Sequence, residues 1–230
     1  MRFQILSLII SLIVSLLNTL TRCLTKHHRI FPGTVRYWEK RYRNGGHSGD
    51  GSSGQLAEFK AEVLNGFVKL YNVSSVIEFG CGDGKQLLLA KYPRYLGFDV
   101  SKAALSMCRN QFSSDSTKVF KLMREYNGEL ADLTLSLDVI YHLIEDDIYD
   151  KYMCCLFDAS KRFVIIYSSN CMNHTSPPHV RHRRFSYWVA QNRPDWDLIE
   201  MINNPYPWHG NTKTGSFSDF YIYRHMSEKD

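Results

Sequence analysis

The stretch Val76–Gly84 constrains the fold of this chain more than any other part of its sequence. It begins with Val76–Phe79, a short run rich in apolar and β-branched residues that predicts a buried strand. A helical pattern opens soon afterwards, at Lys85–Lys91. Between them lie three glycines at alternate positions: Gly80, Gly82 and Gly84. The order strand, glycine loop, helix is typical of nucleotide sites in α/β sheets, because backbone without Cβ atoms turns sharply and can lie close to a ligand.

A second predicted strand, Tyr95–Val100, carries an acidic residue near its end. In a right-handed βαβ unit this strand lies beside the first. Asp99 is then expected at the carboxyl edge of the sheet, next to the glycine loop. A carboxylate in that position can accept hydrogen bonds from both ribose hydroxyls of an adenosine-like ligand.

These two segments resemble the signature motifs of the class I S-adenosylmethionine-dependent methyltransferases. Glu78–Gly84 looks like their E-x-G-C-G-x-G loop, and Phe98–Ser101 looks like their acidic motif at the second strand. The resemblance implies S-adenosylmethionine as the cofactor. The residues expected to bind it are Glu78, Gly80, Cys81, Gly82, Gly84, Asp99 and Val100. The alternative is a tight turn without a ligand, although a plain turn does not need three alternating glycines and two flanking carboxylates.

The rest of the sequence predicts strands and helices that alternate along the chain. A helix over Leu56–Tyr71 leads into the first strand, and Ser101 is a candidate N-cap for a helix to about Phe112. Another helix starts near Glu145. Further strands are predicted at Val119–Met123, Ala131–Asp138, Arg162–Tyr167, Trp196–Ile202 and Phe217–Met226. With the resemblance, the pattern predicts an α/β, Rossmann-like, seven-stranded mixed sheet in the order 3-2-1-4-5-7-6, with helices on both faces.

The first residues form an apolar segment. Phe3–Thr21 carries no charge over 19 residues, and as a helix it would be ~28 Å long, close to the ~30 Å hydrocarbon core of a bilayer. We therefore predict that residues 1–25 form an N-terminal hydrophobic helix that anchors the chain to a membrane. This helix either spans the membrane or lies in its interface. A cleaved secretory signal and a buried core helix are the alternatives. The basic residues that follow favour a cytoplasmic catalytic domain by the positive-inside rule.

Charge and cysteine content restrict the classes of function. The formal net charge is +5, but seven basic residues and one acidic residue between positions 22 and 43 account for all of the excess. The basic character is therefore local, and we expect no nucleic-acid partner. The six cysteines show no metal-ligand spacing. They predict free thiols in a reducing compartment and no metal site.

Residues 26–54 separate the apolar segment from the predicted catalytic domain at 55–230. Tyr37–Arg43 is aromatic and basic, and Asn44–Gly54 contains five glycines. The glycine-rich part is typical of a flexible linker. The whole segment also suits a lid over the cofactor, because its three aromatic residues have no role in a bare linker. Both interpretations stay open at this point.

The fourth predicted strand delivers the residues nearest to the expected chemistry. Methyl transfer from a sulfonium is an in-line displacement that needs aligned reactants and, for a hydroxyl or ammonium acceptor, a proton acceptor. Sites in such sheets form beyond the carboxyl ends of the strands. Asp138, Tyr141 and His142 lie there, and we predict Asp138 and His142 as catalytic residues. The pKa range of His142 suits a general base, but both side chains could equally be structural.

Two other features compete for a functional role. Residues 171–184, the cationic segment, suit a substrate carboxylate or phosphate, a solvated surface or lipid headgroups. Asn204–Tyr206 is similar to the N-P-P-Y motif of amino-methyltransferases, but it follows the sixth predicted strand and lacks the second proline. We assign it no catalytic role. The absence of that motif at Ser136–Asp138 argues against a nucleic-acid base or glutamine as acceptor.

The sequence thus predicts a membrane-tethered S-adenosylmethionine-dependent methyltransferase that acts on a small-molecule acceptor. The second hypothesis is a membrane-attached domain that binds the cofactor as a scaffold or regulator, without catalysis. It stays open because no residue of the sequence is a decisive general base.

Overall fold

The computed structural model describes residues 31–172 and 177–228. Its strands are β1 (Val76–Phe79), β2 (Tyr95–Asp99), β3 (Lys118–Leu122), β4 (Ala131–Leu137), β5 (Ser160–Ser168), β6 (Trp196–Ile202) and β7 (Asp219–His225). They form one sheet in the order β3-β2-β1-β4-β5-β7-β6, which confirms the predicted topology. β7 is antiparallel to both β5 and β6, and the other neighbours are parallel.

Helices cover both faces of this sheet. The α-helices of the described residues are α1 (Thr34–Arg43), α2 (Gly54–Leu70), α3 (Lys102–Gln111), α4 (Asp146–Asp158) and α5 (Phe185–Asn192). Side chains of α2 and α3 pack in one apolar core, and side chains of α4 and α5 pack in the other. α3 begins as predicted, because the Ser101 hydroxyl accepts a hydrogen bond from the Ala104 amide at 3.1 Å.

The central strands are buried on both faces, which explains their nearly continuous apolar sequences. In β1, Val76 belongs to the core under α2 and α3, whereas Ile77 and Phe79 belong to the core under α4 and α5. The rings of Phe79 and Phe98 stack at 5.3 Å between centroids across β1 and β2. Burial of each such side chain stabilises the fold by roughly 1.5–3 kcal/mol and holds the ends of the two strands together.

The helix predicted over Lys85–Lys91 is much shorter in the structure. Only Gln86–Leu89 is helical, as a single 3₁₀ turn, and Ala90 is already extended. Of this turn only Leu87 is buried, so the turn contributes little apolar burial to support a longer helix. Pro93 follows closely and favours extended backbone before it.

The helix predicted over Leu56–Tyr71 places Leu56, Phe59, Val63, Leu64, Phe67 and Leu70 on one apolar face. Most of its members pack on the sheet, but Leu70 is 73% exposed. α2 ends at Leu70 and Tyr71 is its C-cap, so Leu70 lies in the last turn of the helix.

The predicted N-terminal hydrophobic helix and the membrane anchor at residues 1–25 lie outside the described residues. In the part that the structure describes, no helix is both long and apolar enough to span a bilayer. Cys81, Cys108, Cys154, Cys155 and Cys171 are free thiols, as predicted. Over the same residues, no group of three or more His, Cys, Asp or Glu side chains could hold a metal ion.

Candidate active site

The glycine loop lies against the end of β2. The amides of Gly80 and Cys81 both donate to the Phe98 carbonyl, at 2.7 and 3.0 Å. Gly82 has a φ of +56°, a conformation that glycine adopts without strain. Its amide donates to the Asp99 carboxylate at 2.9 Å, and the Ser101 amide donates to the other oxygen at 2.8 Å. The structure therefore places Asp99 beside the loop, where the sequence analysis expected it.

Three carboxylates at this end of the sheet, Glu78, Asp83 and Asp99, are buried without an ion-pair partner among the described residues. Burial raises the pKa of Glu78 to about 7, although a hydrogen bond from the Tyr95 hydroxyl at 2.6 Å opposes the shift. Burial likewise raises the pKa of Asp99 to about 6. A positively charged ligand would relieve this buried negative charge.

A cleft runs from the glycine loop to the end of β4. It holds about 820 Å³, including its open mouth. Every residue predicted to bind cofactor except Gly84 lines it, and so do both predicted catalytic residues, Asp138 and His142. Gly84 lies behind the loop, where an added Cβ would approach Phe112 and Cys108.

Residues 33–53, here called the cover segment, close one side of the cleft. They comprise α1 and a 3₁₀ turn at Asp50–Ser52. The Ser48 hydroxyl donates to the Asp83 carboxylate at 2.8 Å and also contacts the Tyr42 hydroxyl at 3.0 Å. A Cβ added to Gly82 would collide with Ser48. The cover segment therefore sits directly on the glycine loop.

The cover segment is also bound at two other places. Glu39 accepts a hydrogen bond from the Ser101 hydroxyl at 2.8 Å, at the start of α3. Thr34 donates its amide and its hydroxyl to Glu145, at 2.9 and 2.6 Å. These contacts hold the cover segment against the rest of the domain. Its role as a lid stays a prediction.

Asp138 follows β4 and has a φ of +58°, which is uncommon for a residue other than glycine. One carboxylate oxygen pairs with the Lys60 ammonium at 2.7 Å. The other accepts hydrogen bonds from Tyr141 and Ser218, at 2.9 and 3.0 Å. Because both oxygens are already bound by the protein, Asp138 is better suited to hold the local geometry than to accept a proton.

Lys60 is a site residue that the sequence analysis missed. It lies on α2 with only 1% of its side chain exposed, and its ammonium also lies 5.2 Å from the centroid of the Tyr167 ring. A signal was present: Lys60 stands four residues after Leu56 and four before Leu64, inside the apolar face of the helix. A charged residue in such a position needs a buried partner.

His142 lies in the wall of the cleft. Its Nδ1 is 2.8 Å from the carbonyl oxygen of His179. Since a carbonyl only accepts, Nδ1 carries the proton and Nε2 carries the lone pair in the neutral ring. Burial is the main cause that lowers the pKa of His142 to about 4. His142 is therefore an uncharged ring at neutral pH.

Two arginines of the cationic segment, Arg181 and Arg183, bind the turn after His142. Arg183 donates to the carbonyls of Leu143 and Ile144, and Arg181 also donates to Ile144. Both pair with Asp146 at 2.9 and 3.0 Å. These arginines therefore fix the turn after His142. His174 of this segment lies outside the described residues.

Asn204 makes a turn after β6. Its side-chain amide donates to the Tyr206 carbonyl at 2.9 Å, and its backbone amide donates to the Asp219 carboxylate at 2.8 Å. Neither Asn204 nor Tyr206 lines the cleft. The structure thus gives this segment a local structural role.

The fold resembles those of several solved methyltransferases. The magnesium protoporphyrin IX methyltransferase from Synechocystis PCC 6803, crystallised with S-adenosylhomocysteine, has a TM-score of 0.62 at 12% identity and covers 84% of this chain and 98% of its own. The N-methyltransferase NodS from Bradyrhizobium japonicum WM9, also with S-adenosylhomocysteine, has a TM-score of 0.62 at 13% identity and the same coverage. The methyltransferase domain of bacterial CtHen1 has a TM-score of 0.57 at 18% identity and covers 74% of this chain and 99% of its own.

No protein-family model and no curated protein sequence matches the chain. At these identities the structural likeness establishes the fold: the chain has the class I S-adenosylmethionine-dependent methyltransferase fold, as the motif resemblance predicted.

Proposed function

We propose that this chain is an S-adenosylmethionine-dependent methyltransferase that acts on a small-molecule acceptor. The observation that carries the proposal is the contact between Asp99 and the glycine loop at the floor of a cleft that leads to Asp138 and His142. Nucleotide sites form at this position in open α/β sheets, outside the carboxyl ends of the strands.

The described residues fit this cofactor. A Cβ on Gly80 would collide with Val139, and one on Gly82 would collide with Ser48, so only glycines leave the loop in this conformation. Asp99 offers carboxylate oxygens for the ribose hydroxyls. Glu78 and Asp99 supply negative charge for a ligand that carries a net positive charge. Cys81 and Val100 complete this part of the wall, and Gly84 completes the turn.

S-adenosylmethionine, when bound, would supply a sulfonium methyl group for transfer to a lone pair of the acceptor. We assign to His142 the role of accepting the acceptor's proton on Nε2. Burial lowers the pKa of this ring to about 4, so it is a weak base that takes the proton only as the bond to the methyl carbon forms. Asp138, fixed by Lys60, Tyr141 and Ser218, holds the geometry of this wall.

Attachment to a membrane remains part of the proposal on the basis of the apolar sequence Phe3–Thr21 alone. Cells that express the full chain and a variant lacking residues 1–25 would be fractionated. We expect the full chain in the membrane fraction and the shortened chain in the supernatant. A full chain in the supernatant would exclude this part of the proposal.

Calorimetric titration of the full chain with S-adenosylmethionine tests the main proposal. We expect one bound molecule per chain, with S-adenosylhomocysteine as a competitor. Release of S-adenosylhomocysteine in the presence of a small-molecule extract of cells would then show turnover. Absence of binding would contradict the proposal, and binding without turnover would support the scaffold or regulatory alternative.

A further inference from the structure

A connected set of aromatic rings extends outward from the acceptor end of the cleft. Its first half contains Tyr37, Trp38, His142 and His179. Trp38 contacts His142 edge-on at 4.9 Å, while His179 stacks between His142 and Tyr37 at 5.6 and 4.8 Å between centroids. Trp38 and His142 line the cleft itself, so this half reaches the reacting end.

The second half contains Tyr141, His182, Phe217 and Trp208. Phe217 contacts the other three rings, at 5.3 Å from Tyr141, 4.7 Å from His182 and 5.8 Å from Trp208. Tyr141 joins the two halves through His142 at 4.5 Å. The residue after Phe217 is Ser218, whose hydroxyl binds Asp138 in the cleft. We call both halves together the ring array.

The ring array is not fully covered by the protein. Trp208 is 45% exposed and Phe217 is 38% exposed, although both are large apolar side chains. Exposed aromatic side chains that are grouped, rather than scattered, mark binding surfaces. Aromatic faces give favourable contact with other flat rings.

The negative groups around the ring array are already paired. Asp138 is held by Lys60, Glu145 is held by Thr34, and Asp146 is held by two arginines. An ammonium compound would therefore find no uncommitted carboxylate among these groups.

Three arginines near the ring array are committed in the same way. Arg181 and Arg183 bind backbone carbonyls and Asp146, and Arg41 donates to the His47 carbonyl while lying 5.4 Å from the Trp38 ring. Burial lowers the pKa values of His142, His179 and His182, so the histidine rings are neutral. An anionic compound would find no favourable partner in these rings.

We propose that the ring array binds an uncharged acceptor that presents a hydroxyl group on a ring with a flat apolar face, either a phenol or a sugar ring. This rests on the proposed function, and it names the acceptor class of the same cleft. The hydroxyl proton passes to Nε2 of His142, the oxygen lone pair forms the bond to the methyl carbon, and the electron pair of the broken carbon–sulfur bond stays on sulfur.

Saturation-transfer NMR and calorimetry on the full chain, saturated with S-adenosylhomocysteine, test this proposal. Benzyl alcohol, benzoate and benzylamine form a matched series in which only the charge changes. Phenol and methyl glucoside show whether the acceptor is a phenol or a sugar. We expect benzyl alcohol to bind at least fivefold more tightly than its charged partners, and either phenol or methyl glucoside to bind.

The variant Trp208→Ala is expected to weaken binding of the uncharged probe about threefold to tenfold. Its matched control is Tyr187→Ala, because Tyr187 is 63% exposed on α5 and makes no ring contact within the array. Affinity for S-adenosylhomocysteine should stay unchanged in both variants, which also shows that they fold.

The outcomes separate the two proposals. If S-adenosylhomocysteine does not bind the wild-type chain, the proposed function itself fails. If it binds, but the charged probes bind equally well, or neither phenol nor methyl glucoside binds, only the acceptor class is wrong. Equal effects of Trp208→Ala and Tyr187→Ala would likewise overturn the role of the ring array.

Discussion

The two ends of the cleft differ in whether their carboxylates have an ion-pair partner. At the glycine loop, Glu78 and Asp99 are buried without an ion pair in the described part of the chain, and burial raises their pKa values to about 7 and about 6. At the end of β4, Asp138 is paired with Lys60 and accepts hydrogen bonds from two hydroxyls.

This difference indicates what each end is built to receive. Uncompensated negative charge costs free energy in the free protein, and a cationic ligand recovers that cost on binding. The other end is already neutralised by its own residues, so it suits an uncharged molecule. The cofactor end is therefore expected to be sensitive to pH and charge, and the acceptor end to ring contacts and shape.

The largest expected effect comes from breaking the buried ion pair between Lys60 and Asp138. Lys60→Met leaves the Asp138 carboxylate without its cation, and we expect a loss of about 3 kcal/mol in the free energy of unfolding. Denaturant titration measures it. Lys69→Met, at an exposed position of the same helix, is the control.

The double variant Lys60→Met with Asp138→Asn should recover much of this loss, because asparagine carries no charge and tolerates a positive φ. If Lys60→Met were as stable as Lys69→Met, the pair would not hold this end of the cleft together.

A smaller effect is expected from Asp99→Asn, which keeps the shape of the side chain and removes its charge. We expect the affinity for S-adenosylmethionine to fall about 10- to 100-fold, as is typical when a hydrogen bond to a charged group is lost. Calorimetry measures it, with Asp197→Asn on the exposed side of β6 as the control. Equal affinities in the two variants would remove Asp99 from the binding site.

Glu78→Gln should separate stability from binding. The folded pKa of Glu78 is about 7 and its ordinary value is 4.5, so the folded state binds the proton more tightly than the unfolded state. Stability is therefore lost as pH rises from about 4.5 to about 7, and the loss is complete above that range.

Glutamine does not ionise, so the Glu78→Gln variant does not lose stability in this way as the pH rises. At pH 8 the cofactor-free variant should therefore be more stable than the wild type by on the order of 1–3 kcal/mol. Its affinity for S-adenosylmethionine should nevertheless be lower. Thermal unfolding at pH 5 and pH 8 provides the comparison, and a variant less stable than wild type at pH 8 would contradict it.

Cofactor binding should depend on pH in the corresponding direction. Protonation of Glu78 and Asp99 removes charge that attracts a cation, so affinity for S-adenosylmethionine should rise about tenfold from pH 5.5 to pH 8. S-adenosylhomocysteine lacks the sulfonium charge and should show a weaker dependence. Identical pH profiles for the two compounds would mean that the buried carboxylates do not recognise the positive charge.

The smallest expected effect concerns the cover segment. Ser48→Ala removes the hydroxyl contacts to Asp83, which are worth about 1 kcal/mol. Dissociation of S-adenosylmethionine should then be about threefold to tenfold faster, measured by stopped-flow fluorescence of Trp38 in the cleft wall. Ser53→Ala, in which an exposed hydroxyl is removed, is the control. An unchanged rate would mean that the cover does not retain the cofactor.

The proximity of Asp99 to the glycine loop could be predicted from the sequence because the information for it is local. The glycines and Asp99 lie within one strand–loop–strand unit, and parallel pairing of β1 and β2 is enough to bring them together. The alternation of strands and helices predicted the α/β class, and the strand order was what the family resemblance implied. These features need no knowledge of contacts between distant parts of the chain.

The acceptor end could not be predicted in the same way. Lys60 and Asp138 are 78 positions apart, and Thr34 and Glu145 are 111 apart, so only the folded chain reveals these pairs. The cover segment resembled a linker because glycine-rich sequences lack periodicity, yet Ser48 anchors it on the loop. The arginines of the cationic segment resembled an anion site because their carbonyl partners carry no sequence signal.

A crystal structure of the full chain with S-adenosylhomocysteine is the most direct test of the central claim. The account predicts the ribose hydroxyls within hydrogen-bond distance of the Asp99 carboxylate and the sulfur atom directed towards His142. A ligand bound outside this cleft, or bound with its ribose away from Asp99, would contradict it.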